Sequence, residues 1–207
     1  MDVFILILEL IGAAAFAVSG AMTGIRKNMD IFGACVLGLT VAVGGGITRD
    51  IILGAFPPAM FHDPIYAITA ILTCFIVFIP RIRTFLEGSS LLMLLADSIG
   101  LGIFTVSGAA RAFAVTTEAN VFLAVFVGVI TGVGGGLLRD MMAGDPPYIF
   151  VKHIYATAAI AGALLFCFLR TIAPQHIAML SGAILIVAIR LLASHYRWSL
   201  PKPGQRG

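Results

Sequence analysis

Charge is what this sequence has least of. Only 11% of its 207 residues are Asp, Glu, Lys or Arg, where a soluble domain carries roughly 25%, while 60% are hydrophobic and the mean hydropathy is +1.07. This excludes water as the main solvent of the folded chain. Cysteine is scarce as well. Cys35, Cys74 and Cys167 lie inside apolar runs with no CxxC pairing, so they read as small buried hydrophobes and not as a disulfide framework or a zinc site. The net charge of +3 is spread over loops and forms no single basic patch, which argues against nucleic acid as a partner. No GxxxxGK[ST] loop follows a strand, and no Ser/His/Asp set or zincin pattern occurs. His62, His153, His176 and His195 stand singly near the ends of runs, without ligand spacing. Neither an enzyme nor a bound cofactor or resident metal is expected.

What the chain does have is apolar length. Seven runs, at about 3–23, 31–54, 64–80, 91–111, 120–144, 152–170 and 175–193, are each long enough to cross a hydrocarbon layer of about 30 Å. The first begins at the third residue with no basic n-region and no clean cleavage site, so it reads as a membrane span and not as a signal peptide. The expected fold class is an all-α integral membrane protein with seven transmembrane helices. Seven crossings put the termini on opposite sides. Arg26, Lys27, Arg81, Arg83, Lys152, Arg190, Arg197, Lys202 and Arg206 fall on one side, Arg111 and Arg170 on the other, and Arg49 and Arg139 inside spans. The positive-inside bias then places the N-terminus outside and the C-terminus in the cytoplasm.

The sequence also repeats itself. VGGGITRDIILGAFPP from Val43 aligns with VGGGLLRDMMAGDPPY from Val133, and FAVSGA from Phe16 aligns with FTVSGA from Phe104, carrying Glu9 onto Asp97 and Gly12 onto Gly100. Ile65-Tyr66-Ala67 returns as Ile154-Tyr155-Ala156. The organisation read from this is a first three-helix repeat over 1–86, a second over 87–171, and a seventh helix with a cytoplasmic tail over 172–207. Three crossings per unit force the second copy to enter from the opposite face, giving an inverted repeat. Such pairs carry their permeation or substrate site near the midplane where the copies meet.

Spans 2 and 5 each hold three glycines followed by Arg-Asp: Gly44, Gly45, Gly46, Arg49, Asp50 and Gly134, Gly135, Gly136, Arg139, Asp140. Each glycine costs a helix interior about 1 kcal/mol relative to Ala, so the triplets predict a break or kink lining a polar pathway. An arginine at membrane depth costs about 2.5–3.5 kcal/mol to insert and demands a partner. Neighbouring residues diverge by about 100° on a helix, so the expected pairs cross the repeats, Arg49 with Asp140 and Arg139 with Asp50. Close packing is the competing use of the glycines, since Ala34, Gly38, Ala42 and Gly46 recur as Ala124, Gly128, Gly132 and Gly136 at i+4 spacing.

Glu9, Ser19, Thr48, Asp97 and Ser107 are further pore-lining or gating candidates. For the acids the competing reading is a charge effect at a helix N-terminus. For Ser19 and Ser107 it is back-bonding within their own helix. Tyr66 and Tyr155 read as interfacial belt residues.

These two GGGxxRD cassettes, 90 residues apart in a seven-span chain, resemble the prokaryotic members of the trimeric intracellular cation channel (TRIC) family. That family overlaps the bacterial glycine-transporter-domain membrane proteins, and the likeness runs from about Glu9 to Arg190. The resemblance implies a homotrimer in a prokaryotic inner membrane. Each protomer would form its own pore between two inverted three-helix bundles closed off by helix 7, with kinked helices 2 and 5 lining it at Gly44 to Gly46 and Gly134 to Gly136. It also implies passage of monovalent cations, potassium above all, and contact with membrane lipid. The basic lipid-binding motif of the animal members has no clear counterpart here, since Leu137 and Leu138 precede Arg139. The alternative function is a secondary transporter of glycine or a similarly small zwitterion, and a third is a membrane scaffold.

Overall fold

The computed structural model describes residues 3–116, 120–151 and 154–198, and all regular structure among them is helical. Lys152, His153, Lys202 and Arg206 lie outside these residues. The helices are α1 (Val3–Arg26), α2 (Ile31–Ile52), α3 (Ala59–His62), α4 (Ile65–Phe78), α5 (Pro80–Glu87), α6 (Ser90–Val115), α7 (Val121–Met142), α8 (Tyr148–Val151), α9 (Ala156–Leu169) and α10 (Gln175–His195). Five of them, α1, α2, α6, α7 and α10, are long and apolar enough to cross a membrane. The other two expected spans are α4 and α9, each of 14 residues and therefore only about 21 Å long at 1.5 Å per residue.

Those two short helices follow from how the preceding helices end. α2 stops at Gly54 (φ +67°) and α7 at Gly144 (φ +70°), the left-handed conformation that glycine adopts without a Cβ penalty. Each turn is closed by a backbone bond, Ala55 N–H to the Asp50 carbonyl at 2.8 Å and Asp145 N–H to the Asp140 carbonyl at 2.9 Å. The chain then folds back: the Ala59 amide donates to Asp50 Oδ2 and the Tyr148 amide to Asp140 Oδ2, both at 2.8 Å. Asp50 and Asp140 are buried, and each holds the loop that follows against its own helix. The helix starts match as well. Asp30 Oδ1 accepts from the Gly33 amide and Asn120 Oδ1 from the Leu123 amide, satisfying donors that an N-terminus leaves orphaned.

The triple glycines do not unwind. α2 and α7 are continuous helix across Gly44 to Gly46 and Gly134 to Gly136, which corrects the expectation of a broken backbone there. Their middle members serve close approach instead. A Cβ on Gly45 would overlap the carbonyl oxygen of Thr131, and one on Gly135 that of Val41, so α2 and α7 cross with their backbones in contact. The small-residue stripes do the same on each side. A Cβ on Gly20 would lie 2.7 Å from Gly38 Cα, and one on Gly108 would lie 3.1 Å from Gly128 Cα, tying α1 to α2 and α6 to α7. In lipid, where burial of apolar surface gives no drive, such contact is how helices associate.

α1, α2, α6 and α7 form the centre, α4 packs on α1 and α2, and α9 and α10 pack on α6. At the core Phe16 and Phe104 stack with ring centroids 5.4 Å apart, and the rings rest where Gly100 and Gly12 lack a side chain. The outside is apolar, with Phe32 75% and Phe122 79% exposed at matched positions. The connection after α4 departs from the sequence reading. Pro80 starts a new helix, α5, at 86° to α4, where the sequence read a loop. Arg83 Nε lies 3.5 Å from Glu87 Oε1 along it.

Candidate functional site

Two buried ionic clusters sit one turn from the phenylalanine stack, Ser107 following Phe104 and Ser19 following Phe16. The first is built by α1, α2, α4 and α6. Glu9, 7% exposed, accepts from Tyr66 Oη at 2.7 Å and from Ser107 Oγ in a short bond, and Arg49 Nη1 stands 3.6 Å from it. Arg49 Nε also donates to Asp50 Oδ1 at 2.8 Å. Glu9, Gly46, Arg49, Asp50, Tyr66 and Phe104 line a cavity of about 290 Å³, with the exposed Arg111 at its rim.

The second cluster repeats the plan with other fittings. Arg139 Nη1 donates to Asp97 Oδ1 at 2.5 Å and to Ser19 Oγ at 2.6 Å, and Arg139 Nε donates to Asp140 Oδ1 at 2.8 Å. Asp97 Oδ2, the counterpart of the oxygen that Tyr66 holds in the first cluster, instead accepts from Arg190 Nη1 at 2.8 Å. The Arg190 guanidinium lies 4.4 Å from the centre of the Tyr155 ring, within cation–π range. Tyr155 is 2% exposed, and its hydroxyl and Arg139 Nη2 have no hydrogen-bond partner among the described residues. The Tyr155 hydroxyl fills the space above Gly136, 2.7 Å from where a Cβ would stand, whereas above Gly46 the nearest atom is Arg49 Nη2 at 3.9 Å. Gly46 lines the cavity.

Several sequence expectations are corrected by this geometry. The arginines do not pair across the repeats with Asp140 and Asp50. Each curls back onto the aspartate beside it, because the long guanidinium arm spans the angle between neighbours and offers Nε and Nη to two acids at once. Their second partners are Glu9 and Asp97, which are neither helix-terminal charges nor solvated. Ser19 and Ser107 bond across the repeats instead of back into their helices. Tyr66 and Tyr155 face the interior and not the interfacial belt. Thr48 is the candidate left out, since its hydroxyl bonds to the Gly44 carbonyl at 2.9 Å and it does not line the cavity. Arg190, which the sequence counts among the charges of the cytoplasmic side, is buried in the second cluster. An arginine inside the last apolar run was the signal available for it.

A helical bundle that is apolar outside and holds matched ion-pair clusters within defines the class: a multi-pass membrane protein with a polar interior. The chain belongs to the family whose model is described as "Glycine transporter", which matches residues 6–81 and 94–171. It is 37% identical over 202 residues to the UPF0126 inner membrane protein YadS of Escherichia coli (strain K12), a match that covers 95% of this chain and 93% of that protein. Two solved structures carry the resemblance to prokaryotic TRIC channels. One comes from work on conductance through TRIC cation channels, with TM-score 0.84, 38% identity and coverage of 97% of this chain and 98% of that one. The other is the TRIC trimeric intracellular cation channel orthologue from Rhodobacter sphaeroides, with TM-score 0.84, 34% identity and coverage of 96% and 100%. These relatives are membrane proteins and channels and not enzymes.

Proposed function

We propose that this chain is a cation channel. The observation that carries the reading is the pair of matched acidic clusters beside the Phe16–Phe104 stack, one of them opening on a cavity. In that open cluster Glu9 and Asp50 face Arg49, so the buried end of the cavity carries one excess negative charge, while the exposed Arg111 at the rim balances the lining as a whole. The buried end attracts a cation and, the cavity being only partly enclosed, lets it leave. Asp50 neutralises the arginine that would otherwise repel cations. The likeness to cation channels at 38% and 34% identity supports this reading over the carrier that the family's description suggests.

The finer reading is a potassium-permeable channel with one pore per protomer, in a homotrimer embedded in the lipid of a prokaryotic inner membrane. Its pathway passes Glu9, Ser107 and Gly46, narrows at the stacked phenylalanines, and continues past Ser19, Asp97 and Gly136. The two halves, 1–86 and 87–171, act as inverted repeats, with 172–207 packed against the second. The matched N-caps, left-handed glycine turns and aspartate-clamped loops support that division. With Arg190 removed from the count, eight of the nine basic residues still favour the N-terminus outside and the C-terminus in the cytoplasm. In that orientation the cavity opens outward.

Recording purified protein in planar bilayers tests the reading. Discrete conductance steps that reverse on the cation side of a potassium chloride gradient are expected. Saturable glycine uptake by proteoliposomes, with no steps, would establish the carrier instead.

A further inference from the structure

The two clusters differ in charge by one residue. In the first, Glu9 and Asp50 oppose Arg49; in the second, Asp97 and Asp140 oppose both Arg139 and Arg190. Arg190 has no counterpart in the first cluster because α10 lies outside the repeat. Remove its guanidinium and the second cluster regains the excess negative charge of the first, with the same set of acids, arginine, serine and tyrosine. Two further observations concern the place it would vacate. The Tyr155 hydroxyl is buried without a hydrogen-bond partner among the described residues, although its equivalent, Tyr66, donates to the matched acid. A second cavity of about 320 Å³, lined by Tyr155, Arg190, Ser194, Arg197 and Trp198, adjoins the guanidinium.

We infer that Arg190 is a tethered cation occupying the second acidic site: seated on Asp97 and the Tyr155 ring it shuts the pathway, and withdrawn into the adjoining cavity it leaves a monovalent-cation site at Asp97. In the withdrawn state Tyr155 Oη donates to Asp97 Oδ2, as Tyr66 Oη now donates to Glu9. The structure shows the seated arrangement at Asp97 and, at Glu9, a tyrosine hydroxyl bonded to the matched acid. A buried carboxylate between two arginines is fully compensated, so the seated state is stable. The withdrawn state is made accessible by the hydroxyl that replaces one donor. No bond is made or broken; one hydrogen bond replaces another at Asp97 Oδ2.

This inference rests on the channel reading, and the experiment separates the two. Wild-type, Arg190→Gln and Tyr155→Phe proteins are recorded in planar bilayers in symmetric potassium chloride. Arg190→Gln removes the tethered charge, and its open probability is expected to rise by about tenfold, within the span of ordinary allosteric couplings. Tyr155→Phe removes only a hydroxyl that has no partner in the seated state, so folding is preserved and open probability is expected to fall. A conducting wild type with Arg190→Gln no more open than it overturns the latch and leaves the channel reading standing. If Arg190→Gln does not assemble, Tyr155→Phe decides alone: an open probability equal to or above wild type overturns the latch. No conductance steps from any of the three proteins overturns the channel reading and the latch with it.

Discussion

The cluster at Glu9 and the cluster at Asp97 are built from the same sequence cassette, yet Glu9 and Gly46 line a cavity, whereas at Asp97 an arginine and a tyrosine take the corresponding place and the neighbouring cavity lies against them. The backbone plan is shared: the same N-caps, the same left-handed glycine turns, the same aspartates holding the next loop. The difference comes from outside the repeat. An arginine delivered by α10 takes one oxygen of Asp97, and Tyr155, displaced from that oxygen, closes over Gly136. Two matched sites are thus made inequivalent by a side chain of the last helix. In this protein symmetry is a property of the backbone and asymmetry one of a few side chains.

The comparison can be broken most forcefully at the acids. Asp97→Asn leaves Arg139 and Arg190 without their shared carboxylate, and uncompensated buried charge costs about 3–5 kcal/mol. Glu9→Gln should cost much less, because Arg49 keeps Asp50 at 2.8 Å while Glu9 stands at 3.6 Å. Thermal unfolding in detergent checks this, and equal losses would mean that the two clusters are energetically alike. The next pair should show the opposite pattern. Asp50→Ala and Asp140→Ala each lose a carboxylate–amide bond worth about 1.5–3 kcal/mol, but Asp50→Ala should cost more, because it leaves Arg49 with Glu9 at 3.6 Å whereas Arg139 keeps Asp97 at 2.5 Å.

The glycines sharpen the contrast further. Gly136→Ala drives a methyl into the Tyr155 hydroxyl and should destabilise by about 1–3 kcal/mol, the usual cost of overpacking, whereas Gly46→Ala projects toward the cavity and should be near neutral. The smallest effect belongs to a feature of one face alone. Lys27 Nζ bridges to Asp145 Oδ1 at 2.5 Å, both side chains being more than a third exposed. Screened by water, that pair is worth about 0.2–1 kcal/mol, and Lys27→Ala should shift unfolding correspondingly little.

Much of the fold was legible in the sequence because membrane spans and internal repeats are written in composition and spacing. Each expected run contains a helix, and the GGGxxRD cassettes, Glu9, Asp97, Ser19 and Ser107 all converge on the two clusters. What was not legible depends on side-chain reach and on competition between uses of one residue. Three glycines permit either a break or a close crossing, and only the carbonyls of Thr131 and Val41 on the facing helix decide for the crossing. An arginine beside an aspartate diverges from it at the backbone, yet its arm is long enough to return. α5 was hidden because Pro80, read as the end of one helix, is the first residue of the next. Arg190 escaped because a charge near the end of the last run resembles a tail charge until the helix is known to pack against Asp97.

The central claim, that cations pass the carboxylate of Glu9, is tested most directly by single-channel recording of Glu9→Gln beside wild type in a potassium chloride gradient. Smaller potassium conductance and a reversal potential shifted toward zero are expected in the variant. Conductance and reversal potential identical to wild type would contradict it.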